Sequence, residues 1–300
     1  RKMKEWNLTG KRVLITGAAR GIGEAIAIRL HNKGALVSLV GLEAEKLDGI
    51  AEALGERALA FEADVSDKDA INAAVEKTVA AFGGLDVVIA NAGIYHVSPL
   101  SGASSNAIER TLDVNLYGVW HTLHATLPHI KKSKGYVLTV ASMAALTHGP
   151  LMGAYAASKA AVEALTDSLR IELRDEGVGV GCAYFGAIDT DLVTGGHMHP
   201  ALSKIMQALP EFVQKPAPLS DAIDVLDRGI LERSNRIWAP GWIAAVLMFR
   251  GIAQPLLEWR MARSNKVKKG ILLSYDDVKE GGGQDASLGV ALLASKASNE

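Results

Sequence analysis

From residue 12 to about 185, short apolar runs alternate with longer amphipathic segments. The runs are Val13–Thr16, Leu36–Val40, Ala58–Phe61, Val87–Ala90, Tyr136–Val140 and Val178–Ala183. Each has the length of a strand, and most are rich in Val, Ile or Leu without polar alternation. That is the pattern of strands buried on both faces. Helical periods lie between them. Gly23–Lys33 places Ala25, Ile26, Ala27 and Leu30 before a stop at Gly34, and Lys68–Phe82 repeats Ile71, Ala74, Val75 and Val79. Further helices are predicted over Ala107–Leu127, Ala154–Leu173 and Asp221–Arg233, with a last strand at Arg236–Pro240. Strands alternating with helices predict an α/β fold, a Rossmann-type doubly wound parallel sheet with helices on both faces.

The period breaks after Phe185. Residues 191–220 hold four Pro, two Gly and two His with no steady repeat. An irregular stretch of that length in a compact domain is a lid or a disordered loop, and a lid is placed at about 191–215. Residues 241–280 form a C-terminal extension, apolar and basic as far as Lys269. Residues 281–300, opening on three glycines, read as a flexible tail. The expected organisation is therefore one domain over 1–240, then the extension, then the tail.

Composition narrows the function classes. Hydrophobic residues at 49% and charged residues at 22% fit a soluble chain with a large core. The 32 basic and 33 acidic side chains leave a net charge of −1, so no overall field favours nucleic acid, and that class is set aside. Cys182 stands alone, which excludes an internal disulfide and suits a reducing, cytoplasmic setting. Arg1–Leu8 lacks the apolar core of a leader, and no run reaches the ~18 apolar residues of a membrane span. His197 and His199 lie close together without carboxylate or cysteine partners, so no metal site is expected.

Thr16-Gly17-Ala18-Ala19-Arg20-Gly21-Ile22-Gly23 sits between the first strand and the first helix. Glycine lets the backbone turn sharply and approach a ligand, while a helix N-terminus offers unpaired N–H groups and partial positive charge. The turn suits a pyrophosphate, although glycine turns also occur where no ligand binds. At the end of the second strand, Gly41 and Leu42 occupy positions where an acidic residue would select NAD or a basic one NADP. Arg20 is placed to meet a 2′-phosphate, which tilts the balance slightly toward NADP.

Tyr155 and Lys159 are four residues apart in a helix and so share one face. An ammonium about 4 Å from a phenol, at an effective dielectric of ~20, contributes on the order of 4 kcal/mol. That is roughly three pKa units, enough to bring a tyrosine near working pH as an acid or base. Ser142 follows the strand Tyr136–Val140, where its hydroxyl is either a local cap or a donor to a substrate oxygen. Asn91-Ala92-Gly93 ends another strand. Asn115 lies in mid-helix, where an amide is mildly unfavourable unless it is solvated or has a partner.

Taken together, these motifs, in this order and spacing over about residues 10–240, resemble the short-chain dehydrogenase/reductase family. The resemblance implies an NAD(P)-dependent enzyme acting on CH–OH groups. Gly17, Arg20, Gly21, Ile22 and Gly23 would line the cofactor phosphates and adenosine ribose, and Asp64 and Val65 would flank the adenine. Asn91, Ala92 and Gly93 would lie beside the cofactor, and Thr190 would contact its carboxamide. Asn115, Ser142, Tyr155 and Lys159 would form a catalytic tetrad. In it Tyr155 transfers the proton, Lys159 binds the nicotinamide ribose and lowers the Tyr155 pKa, and Ser142 orients the substrate oxygen. Asn115 would hold a helix kink and an ordered water. The family's usual Pro-Gly after the sixth strand is here Phe185-Gly186. A homo-oligomer, dimer or tetramer, is the family habit.

Candidate substrate residues are Ile94, Tyr95, His96, Met143, Leu151, Met152, Phe185 and Leu192. Mostly apolar, they predict a hydrophobic alcohol or ketone such as a steroid, terpenoid or lipid-derived carbonyl. The alternatives are a β-ketoacyl-thioester reductase and a non-catalytic dinucleotide-binding regulator, the latter expected to lack a tetrad residue. The segment 241–269 is predicted either to pack over the cleft or a subunit interface, or to make peripheral contact with a membrane surface.

Overall fold

A computed structural model describes residues 6–190 and 199–279. Seven strands form one sheet: β1 (Arg12–Thr16), β2 (Leu36–Gly41), β3 (Ala58–Glu62), β4 (Val87–Ala90), β5 (Tyr136–Val140), β6 (Gly179–Phe185) and β7 (Arg236–Ala239). Their order is β3-β2-β1-β4-β5-β6-β7, and every pairing is parallel. The central strands β1, β2, β4, β5 and β6 are buried almost throughout, which is why their sequences are unbroken apolar runs. The edge strand β7 alternates exposed and buried residues because one of its faces meets solvent.

The helices cover both faces. On one side α1 (Gly21–Asn32), α2 (Ala44–Leu54) and α9 (Leu219–Glu232) bury Ile26, Leu30, Leu47, Leu226 and Ile230 against the sheet. On the other, α3 (Lys68–Phe82), α5 (Gly118–Ser133) and α6 (Gly153–Glu172) bury Ile71, Val75, Leu123, Ile130 and Val162. The Asp67 carboxylate caps α3 by accepting from the Asp69 and Ala70 N–H groups, a contact worth about 1 kcal/mol. The chain reverses its winding between β1 and β4, so a crevice opens at the carboxyl ends of those strands.

Two sequence expectations are corrected. The helix predicted over Ala107–Leu127 is instead α4 (Ser105–Leu112), a π-helical turn at Asp113–Tyr117, then α5. The wider turn carries Asn115 into the core, where its amide is satisfied. The irregular stretch after Phe185 contains two short helices, α7 (Pro200–Met206) and α8 (Glu211–Gln214). Residues 191–198 of the predicted lid, with Leu192 and His197, lie outside the described residues.

The C-terminal extension forms α10 (Ile243–Ala262) and α11 (Asn265–Lys279). Val267 of α11 joins Val97, Leu151, Ala201, Ile205 and Ala208 in a third apolar cluster beside the cleft. Gly270 is pressed on α7 so closely that a Cβ there would lie 2.7 Å from the Ala201 carbonyl oxygen. The extension therefore packs on α7 and on the segments that carry Val97 and Leu151. Among the described residues, no helix is long and apolar enough to cross a membrane.

Candidate active site

The glycine turn connects β1 to α1 at the crevice. Gly17 and Gly21 have φ of 65° and 57°, conformations that favour glycine. At Gly23 the constraint is steric, since an added Cβ would lie 2.1 Å from the Gly17 carbonyl oxygen and 2.8 Å from Asn91 Nδ2. Asn91 holds the turn from β4, its Nδ2 donating to the carbonyl oxygens of Thr16 at 3.0 Å and Gly17 at 3.2 Å. Ala92 crowds Gly17 from the same strand end, where a Cβ would lie 2.8 Å from the Ala92 Cα. Ile22 is the second residue of α1, and Thr190 faces the turn with its methyl group beside Gly21. The cradle keeps side chains away from the opening of α1, which fits a dinucleotide phosphate pair.

Within the turn, Arg20 does not stand open. Its guanidinium forms a two-point ion pair with the Glu43 carboxylate, one contact being 2.7 Å. Lys46 also reaches Glu43, at 2.9 Å. Burial alone would raise the Glu43 pKa, but hydrogen bonds from Arg20 and Lys46 hold it below the ordinary carboxylate range. Glu43 and Lys46 do not stand out in the sequence, because they lie beyond the end of β2, where cofactor selection is usually read. The usable signal was an acid two residues past the strand, opening a helix with a lysine three residues on. Gly41 leaves room beside the backbone of Ala18. Asp64 accepts from Arg110 at 2.7 Å and from Ser66, and Val65 is buried against Gly118.

The four predicted catalytic residues converge at the ends of β4 and β5. Asn115 is fully buried, not solvated. It accepts the Ile94 N–H at 2.8 Å, and its Nδ2 donates to the Ile94 carbonyl oxygen and to Ser158 Oγ. Ser142 opens a 3₁₀ turn over Met143–Ala145, its hydroxyl accepting the Ala144 N–H at 3.1 Å. It is thus a cap, and it also bonds the Tyr155 side chain. Lys159 is 3% exposed and its Nζ donates to the Val140 carbonyl oxygen at 2.9 Å. Gly93 lies beside Lys159 Nζ and Asn115 Oδ1, each 3.2 Å from where a Cβ would be.

The expected downward shift of Tyr155 by Lys159 is corrected. Burial pushes the phenol above its ordinary pKa, the Ser142 hydrogen bond opposes this, and neighbouring Tyr95 adds to it. Burial also pulls Lys159 from 10.5 down to about 8. The Coulomb argument placed the ammonium about 4 Å from the phenol and left out the cost of desolvating both groups. Nζ lies 5.7 Å from the Tyr155 ring centroid and donates to the Val140 carbonyl oxygen.

The substrate-side residues divide. Tyr95 packs edge-on against Tyr155 with centroids 6.3 Å apart, and Met143, Ile94 and Met152 line the same region partly exposed. Leu151 is buried beside Val97 in the third cluster. His96 is buried, both ring nitrogens lack a hydrogen-bond partner, and burial followed by His199 lowers its pKa. Phe185 is corrected: it is no substrate wall but part of the sheet core, because the end of β6 turns its ring inward. Its carbonyl oxygen accepts weakly from Ser142, at 3.4 Å.

A family model described as short chain dehydrogenase matches residues 11–198. The chain belongs to the short-chain dehydrogenase family. Among curated relatives of this short-chain dehydrogenase, 11-beta-hydroxysteroid dehydrogenase 1A of Arabidopsis thaliana is 31% identical over 264 residues. That alignment covers 84% of this chain and 75% of the relative. Nodulation protein G of Rhizobium sp. (strain N33) is 36% identical over 186 residues, covering 62% of this chain and 76% of the relative. Two solved structures share the fold at comparable distance. The 3-ketoacyl-(acyl-carrier-protein) reductase of Brucella melitensis, complexed with NADH, has a TM-score of 0.70 at 28% identity, covering 77% of this chain and 97% of that one. A short chain dehydrogenase of Burkholderia cenocepacia, in complex with NADP, has a TM-score of 0.69 at 31% identity with the same coverage. This short-chain dehydrogenase is accordingly an oxidoreductase.

Proposed function

We propose that the chain is an NAD(P)-dependent reductase and dehydrogenase that interconverts a hydrophobic ketone and its secondary alcohol. One observation carries this reading. Tyr155, Ser142 and Lys159 meet at the crevice, and an apolar cluster of Tyr95, Val97, Leu151 and Ile205 packs next to them.

A nicotinamide, when bound, supplies or takes up the hydride. The chain does the rest. The glycine turn and the N-terminus of α1 bind the phosphates, and Lys159 binds the adjoining ribose. Ser142 donates a hydrogen bond to the substrate oxygen and fixes its direction. Tyr155, protonated at neutral pH, gives its hydroxyl proton to that oxygen during reduction and receives it back during oxidation. Asn115 keeps Ile94 and the end of β4 in place beside them. Around the adenosine, Arg20 and Lys46 outnumber Glu43, leaving one net positive charge, which supports a preference for NADP over NAD. A dimer or tetramer is the assembly the family resemblance supports.

The steroid name borne by the Arabidopsis relative and the apolar cluster favour a compact hydrophobic substrate over a thioester-borne ketone. A regulator without turnover would have no use for a lysine buried one helical turn from a tyrosine at the crevice. Oxidation of NADPH, followed against cyclic hydrophobic ketones and an acetoacetyl thioester, separates the readings. The expected result is turnover of the cyclic ketones. Faster turnover of the thioester would overturn the substrate class, and no turnover of any ketone would overturn the enzyme reading.

A further inference from the structure

The helix α10 is apolar on the side that meets solvent as well as on the side that meets the body. Inward, Ile243, Val246, Leu247 and Met261 pack against the apolar clusters, and polar contacts tie the helix down beside them. Arg250 pairs with Glu163 of α6 at 2.8 Å, Gln254 exchanges hydrogen bonds with the His148 backbone, and Arg260 Nε donates to the Ala208 carbonyl oxygen at 3.0 Å. Its outward face carries Met248, Phe249, Ile252, Leu256 and Trp259, each more than half exposed and Met248 as much as 71%. The helix bends at Phe249, and beyond the bend Phe249, Ile252, Leu256 and Trp259 follow at steps of three and four residues, a charge-free stripe about 15 Å long. Ordinary burial would have turned such a stripe toward the core.

Charge selects the occupant. Residues 241–269 contain Arg250, Arg260, Arg263, Lys266, Lys268 and Lys269 against the single acid Glu258, a local charge of +5 in a chain whose net charge is −1. Arg263 stacks over Trp259 at 4.7 Å, where the apolar stripe gives way to the basic turn. An apolar face bordered by an interfacial tryptophan and then by cations fits a bilayer with anionic headgroups. A second copy fits less well, since a two-fold contact would set one +5 segment against another. No described helix can span a bilayer, so the geometry is one of lying on the surface.

We propose that α10 docks this protein on an anionic lipid bilayer. Its stripe sits at the boundary of acyl chains and headgroups, with Arg263, Lys266, Lys268 and Lys269 among the headgroup charges. The docking helix is continuous with the cover of the cleft. Phe212 of α8 packs edge-on against Trp242 at the start of α10, with centroids 5.4 Å apart, and α11 is seated on α7 through Val267. A substrate dissolved in lipid would then meet the cleft from the membrane side. The docking itself does not depend on which ketone is reduced.

The test is flotation of the full chain with vesicles of phosphatidylcholine, with and without roughly 30% phosphatidylserine, at low and high salt. The expected result is flotation with the anionic vesicles, reduced ~10-fold or more by omitting phosphatidylserine or raising salt. Ile252→Glu/Leu256→Glu should abolish flotation, and Lys268→Glu/Lys269→Glu should remove the preference for anionic lipid. A thermal melt confirms that each variant is folded, which surface positions permit. Failure of the wild-type chain to float with anionic vesicles would overturn the proposal, as would equal flotation by the folded Ile252→Glu/Leu256→Glu variant. A wild-type dimer that this variant dissociates, without vesicle binding, would assign the stripe to a second copy and likewise overturn it.

Discussion

Lys159 Nζ lies 5.7 Å from the centre of the Tyr155 ring and is anchored 2.9 Å from the Val140 carbonyl oxygen. The two side chains share a helix face, but the cation is tied to a strand end and not to the phenol. With the protein alone, burial dominates both groups. Tyr155 stays protonated well beyond neutrality, and Lys159 keeps its charge only up to about pH 8. At neutral pH both groups therefore carry their protons.

That setting predicts a pH profile. The kcat/KM for ketone reduction should hold steady through neutral pH and fall as pH rises past about 8, where Lys159 loses the charge that stabilises the tyrosinate left behind. Initial rates between pH 6 and pH 10 check this. A reductive rate that climbs above pH 8 would contradict it.

Burial of Lys159 also costs stability. Lowering its pKa from 10.5 to about 8 corresponds to about 3 kcal/mol. The sign follows from which form each state prefers. Below about pH 8 both states carry the charge and the folded state bears the full cost, which disappears as pH rises toward 10.5. Lys159→Met should therefore raise Tm at pH 7 while removing activity, and the gain should shrink at pH 9. A lower Tm at pH 7 would mean that the bond to Val140 outweighs the burial of charge.

Most of this site could be read before any geometry. Strands β1, β2, β4, β5 and β6 are visible as apolar runs because both faces of each are covered, and the edge strands β3 and β7 are visible as short runs. The glycine turn and the Tyr155–Lys159 spacing are local patterns, and local patterns survive folding. What escaped the sequence depends on long-range contacts. Asn115 reads as an ordinary mid-helix amide until the π-turn brings it to Ile94, twenty-one positions away. Phe185 reads as a wall until the end of β6 turns it inward. The Tyr155 shift was given the wrong sign because spacing reports proximity but not desolvation.

Gly23 offers a steric test. In Gly23→Ala the methyl group would collide with the Gly17 carbonyl oxygen, so the start of α1 must move away from β4. NADPH affinity, measured by calorimetric titration, should fall at least ~10-fold, about 1.4 kcal/mol. Gly49→Ala is the control. It lies in α2 with open space around it and should add roughly 0.5–1 kcal/mol of stability. Equal effects at the two sites would show that the cradle is not tight.

The ion pair of Arg20 and Glu43 gives a test of the proposed cofactor preference. Glu43→Gln frees Arg20 and Lys46 from their shared carboxylate and should raise the NADPH-to-NADH ratio of kcat/KM several-fold. Arg20→Leu should lower that ratio by ~10-fold or more, as loss of a charged contact to a phosphate is worth about 1.5–3 kcal/mol. Paired kinetics with both cofactors check this. Unchanged ratios in both variants would remove this ion pair from cofactor choice.

Tyr155→Phe tests the central claim. The change removes one oxygen from the group that passes the proton and leaves the glycine turn untouched. With a cyclic hydrophobic ketone and saturating NADPH, kcat should drop by ~10³-fold or more, while NADPH affinity stays within about 2-fold of the unaltered protein. Turnover by Tyr155→Phe equal to that of the unaltered protein would contradict the account.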